Sequence, residues 1–228
     1  MDETSDETAI RVVVADDEAM MRAGIRAILA SVPGFEVVGE AADGGEAVAL
    51  VAELSPDVAL IDVQMPGTDG LWATETITAR HSGTAVIILT TFSEDAYIAR
   101  ALAGGASGFV LKSGDPNQLV SGIRAVVKGG AYLSPEVARR VISELDATGG
   151  RMSRATAARE RVAGLTDRER EVLALLGQGR SNDEVARRLD IAPGTAKVHV
   201  RSILTRLDLR NRVQAAILAY EAGLLDQP

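Results

Sequence analysis

Two patterns of apolar residues alternate along the first half of the chain. Short runs that are apolar at nearly every position predict strands: IRVVVA at 10–15, FEVVGEA at 35–41, DVALIDV at 57–63, AVIILTT at 85–91 and GFVLK at 108–112. Between them lie segments whose apolar residues recur at helical spacing, namely EAMMRAGIRAILA, GGEAVALVAEL, GLWATETITAR, EDAYIARALAGG and NQLVSGIRAVV. Strands with no polar face need a helical layer on each side. Five strand-then-helix units therefore predict an α/β fold over 9–130, a doubly wound five-stranded parallel sheet.

The pattern then changes. After Gly129-Gly130, the stretch AYLSPEVARRVISEL predicts a short extra helix capped by Ser134 with Pro135 at its first position. Residues 146–164 are small, polar and Arg-rich and read as a linker, so 131–164 is a helical extension and linker. From Leu165 onward the chain is helical throughout. Thr166 with Glu169 and Ser181 with Glu184 each form a capping box, which starts helices at 167 and 182. Pro193 suits the first turn of a third helix reaching about Leu207, and Asn211 precedes a fourth. Only Asp190 to Ala192 separate the second helix from the third, the outline of a helix-turn-helix inside a small all-α four-helix unit over 165–228.

Composition narrows the function classes. The 228 residues are 46% hydrophobic and 25% charged, and no apolar run is long enough to span a bilayer. The opening MDETSDET has no basic or apolar stretch of a leader, so the chain is expected in the cytoplasm, away from membranes. With no cysteine there are no disulfides, thiolate metal sites or cysteine nucleophiles. Two histidines do not build a multi-histidine metal centre. The net charge of −8 is unevenly divided: residues 1–130 hold 19 acids against 8 bases, whereas 151–212 hold 14 bases against 8 acids. A basic helical unit attached to an acidic α/β unit fits a polyanion meeting only the second, although solvated basic helix faces give the same count.

In an open parallel sheet, ligands bind beyond the carboxyl ends of the strands. Those ends carry Asp16 and Asp17, Asp62, Thr90 and Thr91, and Lys112. Carboxylate oxygens without histidine or cysteine suit a hard cation that keeps its waters, so Mg²⁺ is the expected cofactor. With Mg²⁺ in place, Asp62 is set to attack a phosphoryl group while Lys112 and the metal neutralise its oxygens. Each residue also has a plainer reading: Asp16 as a helix cap, Thr90 as a β-former, Lys112 as a snorkelling strand end. Gly-rich dinucleotide and triphosphate motifs are absent, and Asp62-Val63-Gln64 lacks the second acid of an Asp-x-Asp phosphohydrolase, so enzymatic turnover is the weaker reading.

With these residues, 10–130 resembles the receiver domain of two-component response regulators, a flavodoxin-like fold. VVVADDE, VALIDVQMPGTDG, IILTT and GASGFVLKS carry the likeness. Residues 165–225 are similar to the LuxR-type helix-turn-helix, and the pair resembles the NarL/FixJ subfamily. The resemblance implies that Asp62 is the phospho-acceptor for a sensor histidine kinase. It implies Mg²⁺ held by Asp17, Asp62 and the Gln64 carbonyl with support from Asp16, and a switch of Thr90 and Phe109. It implies a regulator that controls transcription as a dimer, is no enzyme beyond slow self-catalysed dephosphorylation, and has RNA polymerase as a further partner. The chain departs from the pattern at Ser113, where many receivers carry proline before a cis peptide, and at Ala192 and Ala196 around the third helix. Gln64 and Phe92 stand where receivers tune dephosphorylation.

A helix in the major groove presents one face, and Lys197, Val198 and Arg201 share one. These are the candidate base readers, while Thr195, Arg206, Ser181 and Asn182 are candidates for phosphates. His199 reads as a packing residue. Val213, Ala216, Ile217, Tyr220 and Leu224 on the last helix form either a dimer seam, which would match inverted half-sites on double-stranded DNA, or intradomain core. A phosphoester-cleaving enzyme and a phosphate-independent binding module remain the alternatives. Under the regulator reading, the acidic receiver could cover the basic recognition face when unphosphorylated, with phosphorylation shifting the population toward an open dimer; the sequence alone does not decide whether it does.

Overall fold

The computed structural model describes residues 9–91, 100–139, 141 and 151–225. Strands β1 (Ile10–Ala15), β2 (Phe35–Ala41), β3 (Val58–Asp62), β4 (Ala85–Thr90) and β5 (Gly108–Leu111) all pair in parallel. They alternate with α1 (Ala19–Ala30), α2 (Gly44–Leu54), α3 (Gly70–Arg80) and α4 (Pro116–Val127). Residues 100–103 are helical; the rest of the helix expected around EDAYIARALAGG falls mostly outside the described residues.

Alternation along the strands divides the core between the two faces of the sheet. Val12, Val14, Leu60, Ile87, Leu89 and Val110 point to the side covered by Ile25 and Leu29 of α1 and Ile123 of α4. Ala15, Ala59, Ile61, Val86, Ile88 and Phe109 point to the side covered by α2 and α3 through Val51, Leu71 and Ile77. Along β3, β4 and β5 both faces are dry, which is why these strands read as continuous apolar runs, whereas the edge strand β2 is mostly half-buried. Side chains of Asp43, Asp69 and Asp115 accept hydrogen bonds from the first turns of α2, α3 and α4 and fix where each helix begins.

The sheet has six strands among the described residues, in the order β2-β1-β3-β4-β5-β6, not the five expected. The addition is β6 (Tyr132–Leu133), which lies beside β5 and takes the first residues of the stretch expected to be a helix. Residues 135–139 and 141 are helical and bury Val137 and Val141, but the Ser134 hydroxyl expected to cap them has no partner among the described residues.

The stretch expected as an irregular linker holds a thirteen-residue helix, α5 (Arg151–Ala163). Its Ala158 and Val162, one turn apart, enter the core of the C-terminal helices. There α6 (Asp167–Gly177), α7 (Asn182–Leu189), α8 (Pro193–Arg206) and α9 (Arg212–Glu221) pack around Leu173, Leu176, Val185 and Ile203. The four-helix expectation is thus extended by a fifth. Both capping boxes are closed, at Thr166 with Glu169 and at Ser181 with Glu184.

α9 has two partners. Ala215, Leu218 and Ala219 belong to the helical core, whereas Val213 and Ile217 pack with the cluster containing Leu102, Phe109, Val137 and Val141 beside the sheet. Asn211 Nδ2 and Gln214 Nε2 donate to the Leu102 carbonyl at 2.8 and 3.0 Å. The Val213–Ile217 stripe, read as dimer seam or intradomain core, is covered here by the sheet-bearing part of the same chain. Tyr220 stays 48% exposed, and Leu224 lies in the helical core.

Candidate functional site

Strand order reverses between β1 and β3, and the carboxyl ends of these two strands carry the acids. Ala15 pairs with Ile61, so Asp16 and Asp62 leave the sheet side by side. Thr90 pairs with Leu111, which brings Lys112 to the same rim. Lys112 Nζ lies 2.8 Å from Asp16 Oδ2 and 2.8 Å from Asp62 Oδ2, with its side chain 7% exposed. Asp16 is fully buried, and its second oxygen accepts from the Glu18 N–H at 2.9 Å in the turn before α1, which itself has no side-chain cap, so Asp16 serves the pocket and not as a helix cap. The Lys112–Ser113 peptide is trans.

Burial pushes the Asp62 carboxyl above its usual range; Lys112 and the Gln64 backbone N–H pull it down and Asp16 pushes it up. Burial lowers the Lys112 pKa, but bonds to Asp16 and Asp62 more than offset this and hold it above the usual value. Two acids and one lysine leave an excess negative charge at the rim, and Asp17 adds a third, exposed carboxylate. One oxygen from each of Asp16, Asp17 and Asp62 lies within 4.8 Å of the others, an all-oxygen donor set that fits a divalent cation.

Phe109 is buried on β5 beside Ile88 of β4, in the core on the α2–α3 side of the sheet. Thr90 is buried at the rim, but its hydroxyl donates to the Thr91 carbonyl at 3.0 Å and is not bonded to Asp62. Gln64 is exposed beside the site. Phe92 lies outside the described residues.

Two residues that sequence reasoning passed over hold the pocket. Arg22 Nη1 donates to the Asp16 carbonyl at 2.5 Å, and its Nε lies 3.4 Å from Glu40, which clamps the loop carrying Asp16 and Asp17. Gly70 starts α3 against β3, and a Cβ there would overlap the Asp62 backbone carbonyl. The only sequence signal for it was a glycine eight residues beyond Asp62. Gly70→Ala is expected to push α3 off the end of β3, lowering stability by about 1–3 kcal/mol and slowing phosphoryl uptake. Urea unfolding read beside adduct formation would check it, and an unchanged protein would dismiss the close approach.

In the helical unit Lys197, Val198 and Arg201 stand together on the outer face of α8, with Val198 67% exposed. In this structure that face is open, and the contacts between the two parts run through α9 and the start of α7. Thr195 is exposed near the start of α8, and Ala192 gives that helix no side-chain cap. Arg206 is turned onto Glu169 at 3.0 and 2.9 Å and the Gly164 carbonyl at 2.6 Å, tying α8 to the start of α6. Ser181 caps α7, and Asn182 faces Arg212 and the Gly129 turn.

Comparison with known proteins agrees with this geometry. Residues 12–124 match the response regulator receiver domain, and 163–219 match the bacterial regulatory proteins of the luxR family. The transcriptional regulatory protein LiaR of Bacillus subtilis is 38% identical, covering 95% of this chain and all of its own. The crystal structure of the response regulator ChrA of a heme-sensing two-component system is 35% identical with a TM-score of 0.53, covering 95% of this chain and 98% of its own. A structure of two RcsB dimers bound to two parallel DNAs is 25% identical with a TM-score of 0.55, over 94% of this chain and 100% of its own. A receiver sheet followed by a luxR-type DNA-binding unit, matched over 95% of its length by a transcriptional regulatory protein, makes this chain a member of the NarL/FixJ-type response regulators.

Proposed function

We propose that Asp62 accepts a phosphoryl group from a sensor histidine kinase in a Mg²⁺-dependent step, and that the modified receiver frees the helical unit to bind DNA as a dimer. The observation that carries this reading is Lys112 Nζ at 2.8 Å from both Asp16 and Asp62, next to an exposed Asp17. Asp17, Asp62 and the Gln64 carbonyl would hold Mg²⁺, supported by Asp16; the ion would supply positive charge for the transferred oxygens. A carboxylate oxygen of Asp62 forms the new bond to phosphorus as the bond from phosphorus to the donor nitrogen breaks. Lys112 stays protonated, exchanging its bond to Asp62 for one to a phosphoryl oxygen. Thr90 then turns its hydroxyl from the Thr91 carbonyl toward the phosphoryl group, and the Phe109 ring shifts with it. Incubation with acetyl phosphate and Mg²⁺ should add one phosphoryl group by intact mass, and wild type left unmodified beside a modified control receiver would end the proposal.

The receiver is taken as 9–130 and the DNA-binding unit as 165–228, with 131–164 between them. Undocking would release Val213 and Ile217 for pairing of two copies on inverted half-sites, where contact with RNA polymerase follows. Lys197, Val198 and Arg201 read bases, and Thr195, Ser181 and Asn182 meet phosphates. Arg206 joins the phosphate contacts only by leaving Glu169. Lys197→Ala is expected to cost about 1–3 kcal/mol at one base position, whereas Arg206→Ala weakens all sequences alike. Equal losses on specific and random duplexes for both variants would refute this division.

A further inference from the structure

Where the turn after α4 meets the N-terminus of α7, the structure buries a guanidinium with no acid to receive it. Arg212 is 6% exposed and donates to the carbonyls of Gly129 and Arg180 and to Asn182 Oδ1. No carboxylate pairs with it among the described residues, and its buried Nε–H has no partner. Burial brings its pKa down to about 10, with Glu184 opposing from a distance. Beside it, the capping box of α7 uses the Ser181 and Glu184 N–H groups and leaves those of Asn182 and Asp183 open.

An arginine fork, an amide and two free helix amides at one corner form a receptor for a tetrahedral oxyanion. In this structure one acceptor filling the fork, the Gly129 carbonyl, comes from the other part of the chain. Gly129 sits at φ +70° so close to Asn182 that a Cβ would collide with it. A neutral carbonyl oxygen there stands in for a charged one. α7 is the first helix of the helix-turn-helix, the one that crosses the DNA backbone.

We propose that Arg212, Asn182 and the open amides of α7 form a seat for one DNA-backbone phosphate, and that the receiver's Gly129 carbonyl occupies this seat while the two parts are docked. The inference rests on the DNA-binding reading of the helical unit. It differs from covering of the recognition face: Lys197, Val198 and Arg201 stay open, and docking competes for the sugar-phosphate backbone instead.

The seat is independent of base sequence, so a fluorescein-labelled random 30-base-pair duplex is a sufficient probe, titrated with full-length protein over a range of KCl. Gly129→Ala should block docking and raise affinity by about tenfold without a phosphodonor. On that background Arg212→Gln should flatten the slope of log K against log[KCl] by about 0.9, one phosphate contact, while Arg212→Lys keeps it. Because Arg212 also holds the Arg180 carbonyl, Asn182→Asp is the second variant. Its acid suits a helix start, so the fold is kept, yet it repels a phosphate and should weaken duplex binding. Unchanged affinity in Gly129→Ala, or duplex binding in Arg212→Gln and Asn182→Asp that matches the parent, overturns the seat while leaving DNA binding standing. Failure of the phosphorylated wild type and of Gly129→Ala to bind any duplex at low salt overturns the DNA-binding reading and the seat with it.

Discussion

Lys112→Met is expected to destabilise the metal-free receiver by about 3–5 kcal/mol, the cost of leaving buried charge without its partner. The lysine is the only cation paired with the Asp16 and Asp62 carboxylates among the described residues, and both acids are buried. Methionine fills the stem's volume and removes the charge, so the two carboxylates face each other across a poorly hydrated gap. For a domain stable by about 5–15 kcal/mol this is a large fraction, and partial unfolding at 37 °C follows. Millimolar Mg²⁺ should recover part of the loss, because an ion that binds only the folded acids stabilises by mass action. Urea unfolding of wild type and variant, with and without Mg²⁺, reads both effects. A metal-free variant with the wild-type midpoint would mean that Lys112 does not hold this cluster together.

The part of the structure governed by local periodicity was readable in advance. β1, β2, α2 and α3 run where the apolar patterns put them: β1 is buried from Val12 to Ala15, and β2 keeps its strand pattern although it is the edge strand, carries Glu36 and Glu40 and is mostly half-buried. Helix starts in the C-terminal unit were as clear, because a capping box is a chemical mark of two residues at fixed spacing. β6 left no such mark: two residues, both only half-buried, do not establish a period. α5 was passed over because RMSRATAARERVA has no wide apolar stripe and buries little more than Ala158 and Val162; its alanines and arginines favour helix by propensity alone.

The acidic pocket was legible for a related reason. Once the sheet is parallel, strand ends converge whatever the loops do, so Asp16, Asp62 and Lys112 could be brought together from order alone. What holds them was not legible. Arg22 reaches a backbone carbonyl, and Gly70 matters for an absent side chain; neither leaves a sign in a list of chemically active residues. The joint between receiver and helical unit was least accessible. Asn211 reads as a helix cap, and its Oδ1 does accept from Gln214 N at 2.8 Å, but its Nδ2 also reaches Leu102, 109 positions earlier. Local pattern carries the first role and nothing of the second.

Asp62→Asn should abolish phosphoryl uptake and also make the metal-free protein more stable. The sign follows from the pKa. Burial holds the Asp62 carboxyl above its unfolded value, so the folded state keeps this proton more tightly than the unfolded one. Stability from this group is therefore greatest below the unfolded pKa and is lost as pH rises through the folded pKa; at neutral pH the ionised form costs stability. Asparagine has nearly the same shape, carries no charge and leaves Lys112 to Asp16, so that cost disappears. Wild type and variant should converge in acid, where Asp62 is protonated, and separate at neutral pH with the variant higher in thermal midpoint. Mg²⁺ should narrow the gap by stabilising wild type more. With acetyl phosphate, only wild type should gain the adduct and the accompanying rise in duplex binding. A variant less stable than wild type at neutral pH would show that Lys112 compensates Asp62 fully; a variant that still gains the adduct would move the acceptor to another residue.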